Sequence, residues 1–232
     1  MLRLIRLILI FAIAYAVLLI SPAFLSRQFP LAPLMKWGDV TDILTPLILI
    51  PLYWLLFRLY RDDLPAPRHV TAFMVFGALW IQGQGMHLSA NSIGHLMKDL
   101  KDTDAFKLTY FYDEGLSHYL WHTGVMALNT LLMLRQWRHP FSESSRLTSI
   151  ALAACIYGLT YFITTIEAGT APVGVPFAVV IALIGLWKRK ELSQRPLVAF
   201  FVASYLIAAI LFAVWGIYWR GLPQFSQVGI ID

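Results

Sequence analysis

The segment QGQGMHLSANSIGHLMKDLKDTDAFKLTYFYDEGLSHYLWH, Gln82 to His122, holds four of the chain's six histidines and an adjacent acid pair. His87, Asn91 and His95 recur every four residues, and so do Glu114, His118 and His122. At about 3.6 residues per turn, each trio occupies one face of a helix over two turns, roughly 12 Å. The charged run KDLKDTD between them reads as a short loop, so the two helices run antiparallel. This pairs His95 with Glu114, Asn91 with His118 and His87 with His122. Two polar stripes then face each other across a buried metal site.

Outside this segment the chain is mostly hydrocarbon. Of its 232 residues, 59% are hydrophobic and only 13% charged, and the mean hydropathy is +0.67. Apolar runs of roughly 15 to 25 residues, enough to cross about 30 Å of hydrocarbon, recur along its length. The alternating segments of about ten residues that mark a membrane β-barrel are missing. The expected fold is therefore an all-α polytopic membrane helix bundle, a single transmembrane domain over residues 1–232. Cys155, the one cysteine, sits in an apolar run and reads as a small buried hydrophobe.

Seven spans can be drawn. The first follows Arg3 and Arg6 and is expected to be a retained helix, its run from Leu7 to Ile20 being long for a cleaved leader. The second covers about 40–60 and carries Pro46 and Pro51, which predict a kink. The others cover about 70–97, 110–134, 147–166, 177–187 and 196–219. With the N-terminus inside, the cytoplasmic segments hold twelve Lys and Arg residues and the outer segments six. The positive-inside rule thus favours N-in, C-out. The net charge of +5 lies at helix ends, where it meets headgroups and not nucleic acid. The expected home is an inner or plasma membrane, with the polar site toward its outer face.

Ionisable side chains at membrane depth cost about 2.5–3.5 kcal/mol each, so they face a bundle interior and find partners. Histidine with carboxylate suits iron, zinc or copper, which the sequence does not distinguish. The candidate ligands are His87, His95, Glu114, His118, His122 and Glu167, with Asn91 and Ser92 as supporting hydrogen-bond partners. A stripe two turns long exceeds the reach of one ion, which leaves either two ions in line or one ion with supporting partners. Asp113 points about 100° away from Glu114 around an α-helix and divides evenly between capping and ligation. Asp113, Glu114 and Glu167 are the candidate acid–base groups. Asp39 and Asp42 read as solvated helix-start residues. Gly83, Gly85 and Gly94 could admit close helix packing.

The leading expectation is a membrane metalloenzyme, an oxidoreductase acting on a lipid or other apolar substrate, with a quinol or other local electron donor. A zinc-dependent intramembrane lipid hydrolase is the second reading, its bound water brought toward a pKa of about 7. A haem-bearing electron carrier or metal transporter is the third. No family follows from the residues. The alkaline ceramidase and adiponectin-receptor hydrolases need His-x3-His on their last helix, whereas His118 and His122 lie on the fourth span. The HxxHH boxes of membrane desaturases are missing too.

Overall fold

The computed structural model describes residues 2–58, 66–142 and 148–231. The eight helices among them are α1 (Leu2–Ile20), α2 (Trp37–Arg58), α3 (Pro67–Leu96), α4 (Asp104–Tyr110), α5 (His118–Arg138), α6 (Thr148–Glu167), α7 (Ala171–Trp187) and α8 (Pro196–Trp219). Residues 59–65 and 143–147, which include Arg61 and Arg146 of the basic joints, lie outside the described residues.

Proline sets several of the helix starts. Pro67 and Pro196 each occupy the first residue of their helix, where the missing N–H leaves no bond unmade. Inside α2, Pro46 and Pro51 remove two ladder donors and free the backbone carbonyls of Asp42 and Leu47. Thr103 caps α4 by accepting from the Phe106 amide at 3.3 Å. Between α1 and α2 a small antiparallel hairpin forms from β1 (Gln28–Phe29) and β2 (Ala32–Lys36). Its end is tied to α2 by the Lys36 amide, which donates to Asp39 at 2.7 Å.

Among the described residues, four helical segments are long and apolar enough to cross a membrane: Leu2–Phe24, Trp37–Arg58, Ile150–Glu167 and Pro196–Trp219. α7 is apolar but shorter. Ile10, Ile13 and Val17 of α1 and Ile210, Val214 and Ile217 of α8 are exposed on the bundle's surface, as suits a chain whose outer solvent is lipid. Cys155 belongs to that outer surface as well, contrary to the buried position expected.

The interior is aromatic. Phe11, Tyr53, Tyr157, Phe200 and Tyr205 pack around α5 with ring centroids 4.7–6.4 Å apart in the paired contacts. At its centre, fully buried Asn129 accepts from the Tyr53 hydroxyl at 2.8 Å. Its amide nitrogen stands 2.7 Å from the Tyr157 hydroxyl and 2.6 Å from that of Tyr205. One α5 side chain therefore ties α2, α6 and α8 together.

α3 and α5 meet backbone to backbone. A Cβ on Gly83 would lie 2.5 Å from the Trp121 nitrogen and 2.6 Å from the Ser117 oxygen. One on Gly124 would lie 2.7 Å from the Trp80 nitrogen and 2.8 Å from the Phe76 oxygen. Two glycines from opposite helices thus set a single close crossing. Gly85 and Gly94 do not share it: a Cβ on Gly85 meets nothing within 4 Å, and one on Gly94 meets only the Thr109 methyl at 3.9 Å.

Candidate functional site

At the end of the bundle where α1 finishes and α2 begins, a chamber of about 460 Å³ opens between five helical elements. Asp39 and Asp42 reach it from α2, and Gln84, His87, Asn91 and His95 from α3. Glu114 and His118 enter from the α4–α5 rod, and Glu167 from the end of α6. Lys36, Leu19, Pro22 and Trp121 complete much of the wall. Four carboxylates against one lysine make the chamber acidic, which suits a cationic guest.

The rod between α4 and α5 departs from α-helical geometry over Phe111–Ser117, which forms a π-helical turn. A π turn bonds i to i+5, so it places Asp113 beneath His118, where an α turn would place Glu114. Asp113 is buried accordingly, while Glu114 remains over a third exposed. The Ser117 hydroxyl donates to the Asp113 backbone carbonyl inside this turn. Such irregular turns in helices concentrate at functional sites.

Asp113 Oδ1 lies 2.7 Å from His87 Nδ1, and His87 Nδ1 lies 3.1 Å from His118 Nε2. His118 Nδ1 lies 3.1 Å from the Ala168 carbonyl in the turn after α6. A carbonyl only accepts, so Nδ1 is the protonated nitrogen of His118 and Nε2 turns its lone pair toward His87. One ligand atom from each of His87, Asp113 and His118 falls within 4.8 Å of the other two. Among the described residues this is the one such group of histidine and carboxylate.

The remaining candidates are placed differently. His87 stands beside His118 and not, as the stripe pairing required, beside His122. His122 faces the other way: its Nδ1 contacts the Thr170 hydroxyl at 3.1 Å, and its buried Nε2 has no partner among the described residues. Because the Thr170 hydroxyl donates to the Thr165 carbonyl at 3.3 Å, the His122 contact is a ring N–H donating to the threonine oxygen. Glu167 lines the chamber, but its carboxylate accepts from the amides of Phe225 at 2.9 Å and Ser226 at 3.3 Å. It therefore clasps the segment after α8. His95 and Asn91 border the chamber further toward the end of α3, and Ser92 is half-buried outside the described lining. Glu114 Oε2 stands 3.7 Å from His118 Nδ1, beyond hydrogen-bond range.

Sequence reasoning missed part of the wall. Asp42 is a chamber residue, not a solvated helix start, and accepts from Gln84 Nε2 at 3.2 Å. Asp39 is buried and tied to the hairpin end. The Pro46 gap in the α2 ladder, one turn beyond Asp42, was the available signal for both.

Residues 40–222 match the family model described as ceroid-lipofuscinosis neuronal protein 6. Two curated relatives, the ceroid-lipofuscinosis neuronal protein 6 of Homo sapiens and its homolog in Canis lupus familiaris, are each 24% identical over 195 residues. Each alignment covers 75% of this chain and 60% of the relative, so the chain spans about 60% of their length. No solved structure matches.

Proposed function

The chain belongs to the ceroid-lipofuscinosis neuronal protein 6 family of membrane proteins, and on that premise we propose that it is a membrane-embedded binding protein for an amphiphile with a positively charged head. The same membership overturns the expectation of a metal-dependent oxidoreductase, and with it the lipid-hydrolase and haem-carrier or metal-transporter readings. The family is not known for metalloenzymes, and nothing in the match supports either oxidoreductase or hydrolase activity.

The observation that carries the binding reading is that Asp42 and Gln84 belong to two cavities at once. On one side they line the acidic chamber. On the other they close the end of an apolar groove of about 410 Å³ between α2 and α3, walled by Ile43, Pro46, Leu47, Ile50 and Ile81. The groove lies on the surface that a bilayer would cover. A hydrocarbon tail suits it, and a cationic head suits the chamber beyond. Volumes of a few hundred Å³ match those of small-molecule sites.

The full topology enters here as part of the proposal: seven crossings, N-terminus inside, chamber toward the outer face. Parity supports the count. Asp42 near the start of α2 shares the chamber with His95 near the end of α3. Glu114 before α5 shares it with Glu167 at the end of α6, and Glu167 holds Phe225 beyond α8. Each of these pairs is separated by two helices, so α3, α5 and α7 cross if their partners do. At about 1.5 Å per residue, the 17 residues of α7 reach roughly 26 Å, slightly short of an average bilayer core.

The test is binding of a fluorescent long-chain amine, compared with the same chain ending in a hydroxyl, to the purified protein in neutral detergent. The amine is expected to bind at least tenfold more tightly, since a charge-assisted hydrogen bond contributes about 1.5–3 kcal/mol. Asp42→Asn should erase that preference and leave the alcohol unchanged. Gly85→Leu, which fills the groove where an added Cβ meets nothing within 4 Å, should weaken both probes. Equal binding of amine and alcohol to the unaltered chain would sink the reading.

A further inference from the structure

We propose that His87, Asp113 and His118 form a binding site for one divalent transition-metal ion of the zinc class, set in the wall of the chamber. The inference rests on these three side chains and not on the amphiphile groove. Three acceptors converge here with too few hydrogens among them. Asp113 Oδ1, as a carboxylate oxygen, brings none. His118 Nε2 brings none, because the Ala168 carbonyl holds that ring's proton on Nδ1. His87 Nδ1 sits between them at 2.7 and 3.1 Å, and its single N–H can point at only one. A cation that displaces the Nδ1 proton of His87 faces one lone pair on each of the three atoms and removes the deficit.

The spacing agrees with such an ion. A metal about 2.0–2.1 Å from each ligand atom puts neighbouring ligands roughly 2.9–3.4 Å apart in tetrahedral or octahedral geometry. Of the two short separations, 3.1 Å falls inside that range and 2.7 Å just below it, and all three atoms stay within 4.8 Å of one another. Two imidazoles and one carboxylate favour zinc and its neighbours in the first transition row. Calcium and magnesium prefer oxygen donors throughout. The Ala168 carbonyl on the far nitrogen of His118 is the usual support that orients a ligating histidine and fixes its tautomer. The close crossing of α3 and α5 at Gly83 holds the two histidines at fixed separation. The chamber side is open to water, which can complete the coordination.

The experiment uses the full chain in detergent, stripped with a chelator and free of added amphiphile, titrated calorimetrically with zinc chloride and separately with calcium chloride. One equivalent of zinc is expected to bind, with calcium binding at least a hundredfold more weakly. Asp113→Asn, nearly isosteric, and His118→Ala should each weaken zinc at least tenfold. His69→Ala, at the opposite end of α3, should not. Circular dichroism of each variant before titration checks the fold, and Asp113→Asn carries the test alone if His118→Ala fails to fold. Wild-type zinc affinity in folded Asp113→Asn, or calcium binding as tight as zinc, would overturn the site. Because no amphiphile is present, a negative result here leaves the groove proposal standing, and failure of the groove leaves this one standing.

Discussion

Replacing Gly83 with alanine is expected to cost about 2–3 kcal/mol of bundle stability and to weaken zinc binding together with it. The added carbon meets backbone atoms of Ser117 and Trp121 at 2.5–2.6 Å, and backbone cannot rotate aside as a side chain can. α3 and α5 must then part, and the parting occurs within a turn of the His87–His118 contact. Gly124→Ala should act in the same direction through Trp80 and Phe76. The two substitutions together should cost less than their sum, since helices already separated by one accommodate the other. Gly85→Ala is the internal control and should fall within about 0.5 kcal/mol of the parent. Unfolding in a denaturing detergent titration reads these differences. Equal effects at positions 83 and 85 would mean that helix propensity, not the crossing, governs α3.

The second large effect is expected at Asn129. Truncation to alanine strips an acceptor from the Tyr53 hydroxyl and the donor contacts from Tyr157 and Tyr205, leaving three hydroxyls in a core closed to water. An unsatisfied buried polar group costs about 1–3 kcal/mol in soluble proteins. Interhelical hydrogen bonds in membranes average nearer about 0.6 kcal/mol, because the separated helices also find partners. Three bonds at the lower figure plus the cavity give about 2–4 kcal/mol for Asn129→Ala, measured by the same titration. Tyr53→Phe in that background should then be almost neutral, and the difference from its effect in the parent gives the coupling directly. Zinc affinity should survive in the fraction that remains folded, which separates this core defect from the one at Gly83.

Much of the architecture could be read from the chain because apolar length is a strong signal. Leu2–Phe24 and Pro196–Trp219 are, by length and composition, long and apolar enough to cross a membrane. Five of the six stripe residues line one chamber, since ionisable groups in a bundle have few other places to go, while His122 turns away to Thr170. What failed was register. The stripes were drawn at a constant 3.6 residues per turn, and a π turn interrupts that period between Tyr110 and His118. Glu114 therefore lost its place under His118 to Asp113. His87 met His118 and not His122 because the crossing at Gly83 and Gly124 sets which turns of α3 and α5 lie level. Glu167 was legible as a carboxylate at the right depth, but its partners lie 58 and 59 residues further on, beyond any local pattern. Asn129 gave no periodic signal. A single amide in an apolar run shows its partners only after four helices are assembled. The metalloenzyme reading failed for another reason: ligand-type residues at helical spacing describe a place where something binds, and the sequence held no information about a reaction.

The π turn has a consequence for how this site is inherited. Such a turn is an α-helix carrying one additional residue, so what places Asp113 is the length of the segment and not the identity of any residue in it. A relative could keep every histidine and both acids and still lack the site if its chain were one residue shorter between α4 and α5. Conversely, a lineage could acquire the site in one step by insertion, from a helix that had presented Glu114 in its place. An alignment column would record the same letters in both, and the difference would be written only in the gap.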